Sequence, residues 1–390
     1  MSGPSIVSRL AGFLRWTDGE LVSTVQAIGL DVVTAELGAA VGELSQAEHA
    51  RGSAILEAVQ ELPDGALARF LTAPEVYFRL SHGGDSAGNL IAFLVDCLDA
   101  ERRVAGLEAA QSKAVWTGVG DWYFPAAATS VDLRPDADPL RWTADAVHRA
   151  PRLANGVPVD FDSPFRTGRL PDVSGDDAEL SRAERVVIIE RLERAVASLG
   201  DASPGAARMV TQLSRVIVPR KDHGPDRQYR STSTRICPGR PVLRNADLPE
   251  ATTEELIDGL VHETIHCVID LLELREPLVP DRQVRASMVV ASPWTQRDLD
   301  IDTYLHACFV WYGLWNLWMQ ALDAPSLDPR SVLRYLELCA HGFVSADVAG
   351  PLRDSAAALA PSLLTVLDEM QARVRDEVAL IERALAHDAP

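Results

Sequence analysis

Leu260-Val261-His262-Glu263-Thr264-Ile265-His266-Cys267 is an HExxH stretch inside a segment, 253–274, that reads as one helix. Residues four apart on a helix stand one turn above each other, so His262 and His266 can offer two imidazole nitrogens to one metal ion. Glu263 then lies beside that ion. Ile257, Val261, Ile265, Val268 and Leu272 form a separate apolar stripe, as expected of a helix that packs one side in a core and turns another to a site. Thr252 and Thr253 supply an N-cap with Glu254 and Glu255 in the first turn, and Pro277 closes the segment.

A catalytic metal needs a third protein ligand and an open position. The metzincin continuation would require glycine at 269 and histidine at 272, where the chain has Ile269 and Leu272, so that class is excluded. No glutamate occurs between 279 and 320; the carboxylates there are Asp281, Asp298, Asp300 and Asp302. The segment 299–322 is apolar nearly all round, with Tyr304, Cys308, Trp311, Trp315 and Trp318 on one stripe and His306 well away from it. Such a helix is buried on several sides, and a buried imidazole needs a partner or a metal. His306 is therefore the expected third ligand and Asp302 the next candidate.

Composition narrows the partners. The 390 residues carry 37 basic and 56 acidic side chains, a formal charge of -19, which repels phosphate backbones and anionic lipid. Neither nucleic acid nor a membrane is expected as a partner. The five cysteines are scattered and never form a CxxC pair, which argues against a disulfide framework or a thiolate zinc cluster and fits a reducing cytoplasm. No basic and apolar leader pattern opens the sequence, and its longest nearly uncharged apolar run, 307–319, is too short for a bilayer span.

Along the chain, seven helices are expected over 6–15, 19–28, 32–44, 46–62, 65–71, 74–80 and 86–103, with Gly83, Gly84 and Gly88 as a turn rather than a phosphate loop. Prolines loosen 116–177, where Trp116, Trp122, Tyr123 and Phe124 pin a loop or line a pocket. A helix over 177–198 precedes strands at 213–218, 227–236 (an edge strand or binding loop) and 240–244; amphipathic helices fill 331–386. The expected fold class is α+β and predominantly helical, with a small antiparallel sheet beside a zincin-like HExxH helix. Three domains follow: an N-terminal helical one over 1–110, a mixed loop, strand and helix segment over 111–245, and a metal-binding helical catalytic region over 246–390.

The segment 260–274, followed by Ser292-Pro293-Trp294 and the histidine- and tryptophan-bearing helix 304–318, resembles the HExxH-motif peptide-modification proteins that accompany ribosomally synthesised, post-translationally modified peptides. Arg230-Ser231-Thr232-Ser233 leading to Pro238-Gly239 is similar to that family's hydroxyl-rich strand and turn, and 68–76 more weakly to its early helical region. The resemblance covers about 228–320. It implies a precursor peptide as substrate and, for part of the family, non-haem Fe(II) with 2-oxoglutarate and hydroxylation of an unactivated side-chain carbon. Carried over, His262, His266 and His306 would bind iron; three histidines depart from the usual pair plus a carboxylate. Arg235 or Arg230, with Ser233 nearby, would bind the distal carboxylate of the cosubstrate. Two other readings stand beside it. One is a zinc peptidase in which Glu263 is the general base for a metal-bound water. The other is a non-catalytic helical module that binds a peptide.

Overall fold

A computed structural model describes residues 6–17, 20–42, 46–108, 113–126, 138–166 and 177–387. Its helices before the first strand are α1 (Ile6–Phe13), α2 (Glu20–Gly42), α3 (Gln46–Glu61), α4 (Asp64–Leu71), α5 (Pro74–Ser81) and α6 (Ala87–Val104). Strands β1 (Val115–Trp116), β2 (Trp122–Phe124) and β3 (His148–Arg149) precede α7 (Arg182–Ala202) and α8 (Pro204–Leu213). Then come β4 (Val218–Arg220), β5 (Arg230–Thr232), β6 (Val242–Arg244), α9 (Thr253–Glu273), α10 (Arg282–Ser287), β7 (Val289–Ala291), β8 (Asp298–Asp300), α11 (Ile301–Gln320), α12 (Pro329–Ser345) and α13 (Leu363–His387). Short 3-10 turns cover Ala321–Asp323 and Gly350–Ala358. The fold is a predominantly helical α+β arrangement with small sheets.

Two compact units are interleaved along the chain. The first gathers Met1–Val25, Ala197–Val210 and Thr253–Pro390; the second gathers Gln26–Val196 and Thr211–Thr252. Consecutive segments do not map one to one onto these units, because α1 packs against α13 at the other end of the sequence.

In the second unit, Val33, Leu37, Phe70, Val76, Leu94 and Leu98 from the early helices form one core with Val216, Val218 and Val242. The sheet there has the order β4-β6-β5 and is mixed: β4 runs parallel to β6, and β5 antiparallel to it. The purely antiparallel expectation is corrected on this point, because β5 lies at an edge and leaves β6 in the centre. A second sheet, β1-β2-β3, is antiparallel throughout. Trp116 and Tyr123 pack there with ring centroids 5.1 Å apart, and Tyr123 meets Trp142 at 5.7 Å, so these aromatics pin a loop. The expected break between 28 and 32 is absent. Val33, Leu37 and Val41 are buried, and that packing outweighs the roughly 1 kcal/mol that Gly29 costs within a helix. The resulting span, Leu21–Gly42, is long and apolar enough to cross a membrane by length and composition, which the sequence reading overlooked. Its buried residues are Leu, Val and Ile, whereas Ser23, Asp31, Thr34, Ala35 and Glu36 are exposed, the division of a core helix.

A buried ionic group holds this unit together. Arg69 donates to Glu101 at 3.0 Å and to Asp121 at 2.8 Å; Arg152 and Thr117 also donate to Asp121, and both carboxylates are fully buried. Burial and the nearby Asp121 push Glu101 up to about 7 against the pull of Arg69. For Asp121, burial is outweighed by Arg69, Arg152 and Thr117, and its carboxyl is lowered. A carboxyl raised on folding favours the folded state at low pH. Its contribution is complete below the ordinary value of 4.5 and is lost as the pH rises through about 7. Glu101→Gln is therefore expected to flatten the stability profile between these limits, checked by urea unfolding at several pH values. An unchanged slope would place the titration elsewhere.

In the first unit, α11 is the axis: α9, α12 and α13 all pack on it. Trp315, Trp318, Tyr304, Phe309 and Phe343 are fully buried. The β7–β8 hairpin leads into α11, whose N-cap Asp300 accepts the Thr303 amide at 2.9 Å. At the hairpin turn Trp294 stacks on Trp311, with centroids 5.9 Å apart, and donates to the Cys339 carbonyl. Gly342 leaves room for that indole, since a Cβ there would lie 2.2 Å from the ring.

Candidate metal centre

The expected HExxH helix is α9, one residue shorter than its sequence pattern suggests. Its apolar stripe is buried, with Ile257, Val261, Ile265 and Val268 at 1% exposure or less. His262 and His266 emerge half-buried from a different face, with ring centroids 5.0 Å apart. His306 on α11 is buried at 7% exposure, as an apolar helix demands. Its Nδ1 lies 3.1 Å from Nδ1 of His266, and the two rings stack with centroids 5.3 Å apart. The structure thus sets His266 against His306 and leaves the His262 ring beside His266; among the described residues, the group whose ligand atoms all lie within 4.8 Å of one another is Asp270, Glu273 and His306, which includes neither His262 nor His266.

Gly313 makes this approach possible. It follows His306 by two turns, on the same face of α11, and a Cβ there would sit 2.6 Å from Cδ1 of Ile265 on α9. Gly313→Val should force the helices apart, costing about 1–3 kcal/mol of stability. It should also weaken metal binding, which calorimetric titration would detect. Unaltered affinity would show that the spacing of α9 and α11 does not set the centre.

Two carboxylates that the sequence analysis does not name group with His306. Asp270 and Glu273 lie on α9, one and two turns beyond His266, and their oxygens and a His306 nitrogen all fall within 4.8 Å of one another. Glu273 Oε2 is 3.3 Å from His306 Nε2, and Glu273 Oε1 accepts the Leu278 amide at 3.1 Å. Arg285 reaches Glu273 Oε2 at 3.5 Å and Asp302 at 2.5 Å. Asp302, the alternative third ligand, is thus engaged by a guanidinium, while His306 faces His266. Both continue the His262 face of α9, at i+8 and i+11, so the helical spacing of the motif itself points to them.

No protein-family model matches this chain, and no curated protein matches its sequence.

Burial keeps the imidazoles of α9 neutral. Burial lowers His262 to about 4. Burial, helped by His262 and His306 and opposed by Glu263, lowers His266 to about 3. Both rings are neutral at pH 7, with lone pairs available for coordination. For Glu273, burial is outweighed by the His306 hydrogen bond and charge, the Leu278 amide and Arg285, so its carboxyl is lowered. Neighbouring ligands on a tetrahedral ion with metal–nitrogen bonds of about 2.0–2.1 Å are about 3.3 Å apart, close to the separation of the two Nδ1 atoms. His266 and His306 thus stand at the spacing of two ligands on one divalent transition metal, with the His262 ring 5.0 Å by centroids from that of His266. Glu273, accepting from Nε2–H of His306, would fix that ring's tautomer so that Nδ1 faces the ion.

Glu263 is buried at 4% exposure, within electrostatic reach of His266. Arg230, Ser233 and Arg235, expected to hold a cosubstrate, lie on β5 and in the loop after it, in the second unit. The histidine cluster belongs wholly to the first unit and is built without them. Cys267 and Cys308 are buried, and burial pushes Cys308 up to about 12, so Cys308 is not a reactive thiolate.

Proposed function

We propose that this chain is a metal-dependent, peptide-modifying enzyme: a non-haem Fe(II)/2-oxoglutarate-dependent hydroxylase acting on a side chain of a ribosomally made precursor peptide in the cytoplasm. The observation that carries the reading is the meeting of His266 on α9 with His306 on α11 at 3.1 Å, with the His262 ring beside His266 and Glu273 alongside His306. Iron rests on the resemblance over 228–320 and not on the donor set, since Glu273 stands behind His306 as its hydrogen-bond partner. Bound iron would supply oxidation of an unactivated carbon, with 2-oxoglutarate as the source of electrons. The chain's own residues have simpler tasks. His262, His266 and His306 bind, Glu273 orients His306, and Arg285 anchors Glu273 against Asp302. The buried tryptophan helix behind them gives a rigid backing. The acidic surface suits a basic peptide better than an acidic one.

A zinc peptidase is the second reading, favoured by buried Glu263 next to His266, the place of a general base. One experiment separates the two. The metal-stripped protein is loaded anaerobically with Fe(II), then given 2-oxoglutarate, oxygen and a precursor peptide encoded beside it. Succinate together with a peptide one oxygen heavier is the expected result. A shortened peptide with intact cosubstrate supports the peptidase, and neither change leaves a peptide-binding module.

A further inference from the structure

The first unit holds a cavity of about 240 Å³ at the end of α11 remote from the histidines. Gln320, on its wall, closes α11, and His306 lies near the start of that helix, about 21 Å away along the axis at about 1.5 Å per residue. Phe13, Trp16, Val22 and Pro204 line the cavity with apolar surface. Trp16 sits just past α1 with φ 62°, the left-handed position that glycine usually takes after a helix. Its indole N–H donates to the Gly313 carbonyl at 2.9 Å, and its ring meets Phe13 edge-on at 5.8 Å. With that N–H engaged, both rings offer only apolar surface. A Cβ on Gly205 would lie 2.0 Å from the Trp16 carbonyl oxygen, so α8 starts directly against this turn.

The polar part of the lining consists chiefly of donors. Gln320 is held at both ends, its Oε1 accepting from Ser203 Oγ at 2.7 Å and its Nε2 donating to the Arg15 carbonyl at 2.9 Å, which leaves a second N–H for a ligand. Arg208 stands one turn after Pro204 on the same face of α8 and has no ion-pair or hydrogen-bond partner among the described residues. A guanidinium fork beside apolar walls matches a planar carboxylate carried on an apolar body. At about 30 Å³ per water the cavity has the room of about eight waters, enough for one ring on a short chain.

We propose that this cavity binds an arylalkanoate, a carboxylate on a short aromatic body, with Arg208 gripping the carboxylate and Phe13 and Trp16 packing the ring. The same group occurs in a free acid and in the C-terminal phenylalanine of a peptide. The site needs no metal and stands apart from the histidine centre.

The test is calorimetric titration of the metal-stripped full chain, which leaves a carboxylate no ion to bind. Phenylpropionate is expected to bind at one site per chain, and phenylpropionamide about tenfold more weakly. Arg208→Gln should weaken the acid about tenfold, to the level of the amide, with Arg208→Lys in between and circular dichroism unchanged in both. A short peptide ending in phenylalanine, compared with its C-terminal amide, identifies the source. Tighter binding of the free-ended peptide than of phenylpropionate assigns the site to peptide termini, and weaker binding assigns it to a free acid. No binding of either carboxylate at millimolar concentration would overturn the site, as would equal affinity for acid and amide. Acid affinity indifferent to Arg208→Gln would overturn its assignment to this cavity.

Discussion

His266→Ala is expected to abolish metal binding. His266 stands between the other two imidazoles, 5.0 Å by ring centroids from His262 and 5.3 Å from His306, so its loss removes the ligand that joins them. Loss of an outer partner of a ligand costs about 10- to 100-fold in affinity, and loss of this ligand should cost more than that. The fold should survive, because the ring is half-buried and lies off the apolar stripe of α9. Metal content after dialysis, with circular dichroism as a control, checks both halves. Retained zinc or iron in a folded His266→Ala protein would dismantle the centre.

Trp318→Ala should produce the largest loss of stability in the first unit. The indole is fully buried, stacks on Tyr335 at 4.6 Å with an interplanar angle of 11°, and donates to Asp258 at 3.1 Å. Deleting a large buried aromatic costs about 3–5 kcal/mol through lost transfer energy and the cavity left behind. Asp258 adds to it. Burial, with Glu263 and Glu255 nearby, already raises that carboxyl to about 7, and the indole N–H is the contact that opposes the rise. Trp318→Phe keeps a ring against Tyr335 but loses the donor, so it should cost about 1–3 kcal/mol. Denaturant unfolding of both variants gives the comparison: a Trp318→Phe protein as stable as the parent would show that the hydrogen bond contributes nothing, and equal losses in the two variants would show that the ring contributes nothing beyond it.

Local chemistry was legible wherever one element decided it. Caps, a closing proline and a 3.6-residue stripe placed α9 within a residue, and the apolar character of 299–322 placed His306 inside. Long-range pairing was not legible. Nothing in residues 213–244 distinguishes a parallel neighbour from an antiparallel one, and the parallel β4–β6 pair follows from how the intervening chain returns. The continuity of α2 escaped for a related reason, since glycine reads as a break until the packing of Val33 and Leu37 is known. Asp270 and Glu273 were in plain view on the motif helix. A zincin pattern places its carboxylate on the next helix, so the motif alone does not single them out. The interleaving of the two units depends on contacts between the chain's ends, which no linear pattern encodes.

X-ray absorption at the metal edge of the zinc- or iron-loaded full chain tests the centre most directly. The account predicts the multiple-scattering signature of three imidazoles, with nitrogen ligands at about 2.0–2.2 Å, reduced to two in His306→Ala. A spectrum of oxygen ligands alone, or one unaltered by His306→Ala, would contradict it.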